Sequence, residues 1–130
     1  MKTTCTICDA STGSKEYQFT LNVLNEQLTV QELICTRVSQ EVLNYNLKQP
    51  THYRGLVQPS DAEQTLNGFR LRSRRQLDQD EECNKALKAF QENQFLLLLD
   101  NRQLTELDEE ITIKPGSLVT FLKLIPLVGG

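Results

Sequence analysis

The spacing of apolar residues changes several times along the chain, and each change marks an element. In "EYQFTLNV" every second residue is apolar: Tyr17, Phe19, Leu21 and Val23 on one side, Gln18, Thr20 and Asn22 on the other. A period of two is that of a half-buried strand. The opening run "MKTTCTICD" also alternates, with Cys5 and Ile7 opposed to Thr4 and Thr6. Between them "ASTGSK" is a turn cluster centred on Gly13, so residues 1–24 are predicted to form a hairpin. The period then lengthens. Val30, Leu33, Ile34, Val38, Val42 and Tyr45 recur at helical spacing, and Thr29 followed by Glu32 fits a capping box, so a helix is expected over residues 30–46, with Pro50 beyond its end.

Residues 47–77 show little sustained periodicity and contain Pro50, Gly55, Pro59 and Gly68. Within them "FRLRSRRQL" alternates Phe69, Leu71 and Ser73 with arginines, which suggests a short edge strand with a basic face. Arg70, Arg72, Arg74 and Arg75 form a candidate docking patch for an acidic partner, set against the plainer reading of a solvated loop. Asp78 with Glu81 resembles a second helix cap. Cys83, Ala86, Leu87 and Phe90 then share a face, acids fill the first turn, and Asn93 is a candidate C-terminal cap.

The apolar run "FLLLL" is short enough to be a buried strand. Asp100-Asn101 is a turn, "RQLTEL" a short strand, "DEEITIKPGS" a polar connection ending in a Pro115-Gly116 turn. "SLVTFLKL" is the last strand, with Val119 and Phe121 on one face and Leu118, Thr120, Leu122 and Leu124 on the other. The order is strand, strand, helix, insertion, helix, strand, short strand, strand. That is an α+β pattern, and the last strand should lie centrally, parallel to the first. Core candidates are Val30, Leu33, Ile34, Val38, Val42, Phe19, Leu21, Leu97, Val119 and Phe121.

Composition narrows the function classes. Charged residues make up 24% and hydrophobic residues 38% of 130 residues, as in an ordinary soluble domain. A formal net charge of −3 argues against a general nucleic-acid binder. The segment after Met1 is polar, so no signal peptide is expected. No apolar run approaches the roughly 20 residues of a membrane span. The expected location is the cytoplasm, with no membrane partner.

The four cysteines, Cys5, Cys8, Cys35 and Cys83, are expected to be free thiols in a strand and on buried helix faces. Cys5-x-x-Cys8 is half of a zinc pattern with no second half, so no metal is assigned. His52 is the single histidine, and no nucleophile–base set is evident, so the chain is not read as an enzyme.

The stretch from Phe95 onward, "FLLLLDNRQLTELDEEITIKPGSLVTFLKLIPLVGG", resembles the second half of the ubiquitin-like β-grasp superfamily. The hairpin 1–24 and the helix 30–46 match its first half. The ending "PGSLVTFL…P…GG" is similar to the small sulfur carriers of molybdopterin and thiamine synthesis. The order and size resemble bacterial ubiquitin-like proteins found beside activating and conjugating enzymes. Residues 47–93 depart from both groups and read as an insertion between the first helix and the third strand.

The resemblance implies one ubiquitin-like domain over 1–130, a β-grasp sheet with the helix across its concave face, and a flexible tail over 125–130. It further implies a handle at Gly129 and Gly130. Glycines admit a carboxylate to a narrow channel, where a partner enzyme spends ATP to adenylate it and a cysteine then takes it as a thioester. No cofactor is expected on the chain itself. The implied partners are an adenylating activating enzyme, a conjugating enzyme, a JAB-type deconjugating protease and a covalent protein target. The implied recognition surface is Leu96, Leu98, Leu122 and Leu124 together with Leu127 and Val128. A protein modifier, a sulfur carrier with a C-terminal thiocarboxylate and a non-conjugated interaction module all fit this pattern.

Overall fold

The computed structural model describes residues 3–11, 16–48, 52–53, 55–60, 62–65, 68–71 and 76–124. The elements are β1 (Thr3–Ser11), β2 (Tyr17–Val23), β3 (Gln27–Thr29), α1 (Val30–Lys48), β4 (Ala62–Thr65), β5 (Gly68–Leu71), α2 (Gln79–Gln91), β6 (Phe95–Leu99), β7 (Arg102–Leu104), β8 (Glu110–Thr112) and β9 (Leu118–Lys123). The fold is α+β. The chain divides into two compact units, Met1–Leu33 with Phe90–Gly130, and Ile34–Ala89.

The first unit is built on a mixed five-stranded sheet in the order β2-β1-β9-β6-β7. β1 and β2 pair antiparallel, with Cys5 opposite Leu21 and Ile7 opposite Phe19. β1 and β9 run parallel, Ile7 beside Val119, as expected for a last strand placed centrally. β6 lies antiparallel to β9, with Leu97 opposite Phe121 and Leu99 opposite Val119. Because alternate residues share a face, this register puts Cys5, Ile7, Leu21, Val23, Leu97, Val119 and Phe121 on one side. All seven are buried. The rings of Phe90, Phe95 and Phe121 follow one another at centroid separations of 5.8 Å, adding tilted aromatic contacts to the burial.

Turn chemistry sets this register. Asp100 and Asn101 both have positive φ (47° and 73°), the conformation a two-residue hairpin between β6 and β7 demands. Asp100 also accepts the Leu118 N–H through Oδ1 at 2.9 Å and donates its own N–H to the Leu118 carbonyl at 2.8 Å, so the turn holds the start of β9. Gly116 has φ 88°, and the Ser117 N–H reaches the Lys114 carbonyl at 2.9 Å. Pro115 followed by Gly116 therefore makes the tight turn its sequence predicts.

Three expectations are corrected. Phe19 is 37% exposed rather than core, and Tyr17 is 66% exposed. They lie on the core side of β2, but β2 is an edge strand and only its Leu21–Val23 end is covered; alternation assigns a face, not its cover. The segment 108–117 is not simply a polar connection. Ile111 and Ile113 are buried, and β8 pairs with β3, Leu28 opposite Ile111. Cys35 is half-buried, whereas Cys83 is buried as expected.

α1 starts where the capping box places it. The Glu32 N–H donates to Thr29 Oγ1 at 3.1 Å, and the Thr29 hydroxyl to Glu32 at 3.2 Å. The next two amides are also satisfied: Val30 N–H by the Glu109 carbonyl at 3.0 Å and Gln31 N–H by the Leu107 carbonyl at 2.9 Å. α2 is capped by Asp78, which accepts the Glu81 N–H at 3.1 Å. It ends before Asn93, whose φ of 58° and N–H bond to the Phe90 carbonyl at 3.1 Å form a left-handed stop.

The second unit holds the rest of α1, the β4–β5 hairpin and most of α2. Polar contacts between distant residues organise it. Arg37 is buried and pairs with Glu41 at 3.2 Å, and Glu41 also accepts the Leu56 N–H at 3.1 Å. Asn46 bonds both backbone groups of Leu77, at 3.0 and 2.8 Å. Tyr53 stands edge-on to Tyr45 with ring centroids 5.6 Å apart, and its backbone exchanges hydrogen bonds with Phe69 at 2.7 and 2.8 Å. The expected edge strand at 69–71 exists as β5, paired with β4. The turn cluster around Gly13 lies outside the described residues.

Candidate functional site

The second face of the five-stranded sheet is the candidate surface. Leu96 stands opposite Leu122, and Leu98 opposite Thr120. In the parallel ladder Thr120 lies beside Cys8, Leu122 beside Ala10 and Leu118 beside Thr6. Cross-strand neighbours of this kind sit about 5 Å apart, so they form one continuous patch over β6, β9 and β1. Leu96, Leu98, Leu118 and Leu122 are half-buried, and Leu124, just past β9, is 41% exposed. The face is therefore apolar at its centre and opens toward the end of β9.

Of the residues expected there, Leu96, Leu98 and Leu122 are on this side and Leu124 follows just past the strand, and the structure adds Leu118 and Ala10. Leu118 was legible in the alternation of "SLVTFLKL". Ala10 was not, because its place depends on the register between β1 and β9, which no local pattern encodes. Leu124 continues the ladder: its N–H donates to the Gln94 carbonyl at 3.2 Å. That bond fixes the chain beside the start of β6 up to Leu124. Leu127, Val128, Gly129 and Gly130 lie outside the described residues.

Cys8 belongs to the same face. Its thiol donates to Glu16 at 3.8 Å, and burial, reinforced by the Glu16 carboxylate, pushes its pKa up, the opposite of what a nucleophilic thiol needs. Cys5 is on the core side, so the two cysteines of Cys5-x-x-Cys8 point away from each other across β1 and cannot grip one ion together. Among the described residues no cluster of three or more His, Cys, Asp or Glu side chains is placed to hold a metal.

Of the basic run, Arg70 is described. It is exposed on β5 opposite Glu63, so a carboxylate of the chain itself already neighbours it. Arg72, Arg74 and Arg75 lie outside the described residues.

An open depression of about 290 Å³ lies between Gln31, Phe90, Gln91 and residues 105–108. It is lined by Glu106 and Asp108, and the helix amides next to it are already bonded to the Leu107 and Glu109 carbonyls. Its two carboxylates disfavour an anion there. Among the described residues no helix is long and apolar enough to cross a membrane. Comparison of the chain with protein-family models, with curated proteins and with solved structures finds no match.

Proposed function

We propose that the chain is a ubiquitin-like modifier of the β-grasp type, activated at Gly130 and passed through a thioester to a target nucleophile. The observation that carries this reading is the strand order β2-β1-β9-β6-β7, with β1 and β9 parallel at its centre. A β-grasp sheet has this arrangement: an N-terminal hairpin, a helical crossover, and a last strand inserted beside the first. In this chain that last strand leads directly into "IPLVGG".

The leucine patch supports the same reading. Leu96 faces Leu122, Leu98 lies opposite Thr120, and Leu124 follows just past β9, so one partner could read the sheet face and take up the residues that follow it. Half-buried leucines beside Thr120 and Thr6 suit an interface formed and released repeatedly. The activating enzyme supplies ATP and the catalytic groups, while the chain contributes its carboxylate and its surface. A conjugating enzyme and a JAB-type protease are the partners such a cycle uses.

Intact-mass spectrometry of the protein from its native cell tests the proposal. A mature chain ending at Gly130 that is recovered in part on target side chains supports the modifier. Pro126 in the tail favours the second reading, a sulfur carrier; one sulfur in place of a carboxylate oxygen would establish it. A mature chain that continues past Gly130 in every species would refute both.

A further inference from the structure

The second unit contains two cysteines that the proposed function does not use. Cys35 is on α1 and Cys83 on α2, and the two helices bring them together although they are far apart in sequence. The Cys83 thiol donates to the carbonyl oxygen of Cys35 at 3.7 Å. Ser39, one turn after Cys35 on the same side of α1, is hydrogen-bonded to the Cys83 sulfur at 3.6 Å. Either the thiol or the hydroxyl can donate in that second bond; whenever the Cys83 proton points to the Cys35 carbonyl, the Ser39 hydroxyl donates.

We infer that Cys35 and Cys83 form an oxidisable dithiol that closes into a disulfide between α1 and α2 when the protein meets a peroxide. Three features of the site argue for this. Cys35 is half-buried, so a small oxidant can reach it, whereas Cys83 is buried. The Ser39 hydroxyl can stabilise negative charge on the Cys83 sulfur as that sulfur attacks. The other two cysteines, Cys5 and Cys8, belong to β1 of the first unit, where both are buried.

The Cys35 thiolate attacks one peroxide oxygen, the O–O bond breaks, and water leaves after proton uptake, giving a Cys35 sulfenic acid. The Cys83 sulfur then attacks the Cys35 sulfur, and the S–O bond breaks. Hydroxide departs with the Cys83 proton as a second water. Two thiols lose two electrons and the peroxide gains them.

The environment makes the first step slow at neutral pH. Burial, then the neighbouring Cys83 and the Asp80 carboxylate, push the Cys35 thiol up to about 12. The reactive thiolate is therefore scarce near neutral pH, and its amount grows about tenfold for each pH unit below that value. Once formed, the bridge ties together segments separated by most of the second unit, and closing a long loop constrains the unfolded chain most.

The test is to treat the full-length, purified protein with hydrogen peroxide, trap remaining thiols with an alkylating agent under denaturing conditions, and map the peptides without reduction. The expected result is a Cys35–Cys83 linked peptide within a chain that still migrates as a monomer. Its rate of formation should rise about tenfold per unit between pH 7 and pH 9. The oxidised protein should melt at a higher temperature than the reduced one, and Cys35→Ser should lose both the linked peptide and the shift. The wild-type map decides the matter even if the variant folds poorly. Oxidation of Cys35 to sulfinic acid without a link, a link involving Cys5 or Cys8, or an intermolecular link would overturn the inference. So would a rate independent of pH.

Discussion

Each of the two units of this chain is organised internally in its own way. In the first, the core comes from a register: Leu97 opposite Phe121, Leu99 opposite Val119 and Ile7 beside Val119 bring buried apolar side chains together over three strands. In the second, buried residues such as Val38, Val42, Tyr53, Leu56, Leu77 and Ala86 are accompanied by polar contacts between segments remote in sequence. Glu41 holds Leu56, Asn46 holds Leu77, and the Ser60 hydroxyl donates to Glu81 at 3.2 Å while Lys85 donates to Ser60 at 2.6 Å. Both units bury apolar side chains, but the first aligns them by strand register, whereas the second adds side-chain hydrogen bonds that fix the backbone of Leu56 and Leu77 to α1. Single substitutions should expose that difference.

The largest effect is expected in the sheet. Phe121 is fully buried and contacts Phe95, so Phe121→Ala should cost about 3–5 kcal/mol in urea unfolding. A cost under about 1 kcal/mol would mean the sheet core can collapse around the void and is not held by its register. Next is Asn46→Ala in the second unit. It leaves the Leu77 backbone N–H and carbonyl without their side-chain partner, at an expected cost of about 1–3 kcal/mol. If it behaves like a surface change, the polar account of the second unit fails.

Thr29→Ala removes the cap of α1 and should cost about 1 kcal/mol, with Thr29→Ser restoring most of it. Smallest is Leu124→Ala. At 41% exposure it should change stability by less than about 0.5 kcal/mol, yet weaken association with an activating enzyme if the leucine face is read together with the tail.

The same contrast explains how much of the molecule was legible beforehand. Wherever structure follows a local period or a cap, the pattern identified it: the hairpin of β1 and β2, the start of α1 at Thr29, the cap at Asp78, the stop at Asn93 and the turns at Asp100 and Pro115. Phe19 misled because alternation carries no information about where a neighbouring element stops covering a strand. β3 and β8 were missed because three-residue strands are too short to establish a period, and what defines them is their pairing with each other. Asn46 with Leu77, and Cys35 with Cys83, are meetings of residues remote in sequence, and no composition or spacing announces them. On the candidate face, the leucines of β6 and β9 could be assigned to a side from alternation, while Ala10 and Cys8 required the parallel register of β1.

The most direct test of the proposed function uses the sequence at the end of β9. Trypsin cleaves after Lys123, so a target joined to Gly130 would carry the remnant Leu124–Gly130, "LIPLVGG", on the modified side chain. The chain should be produced with an N-terminal tag in its native cell and recovered under denaturing conditions beside a variant lacking Gly130. The account predicts that this remnant appears on target lysines with the intact chain and is absent with the shortened one. Recovery of only the unlinked protein from both, with equal yield and no remnant on any peptide, would contradict it.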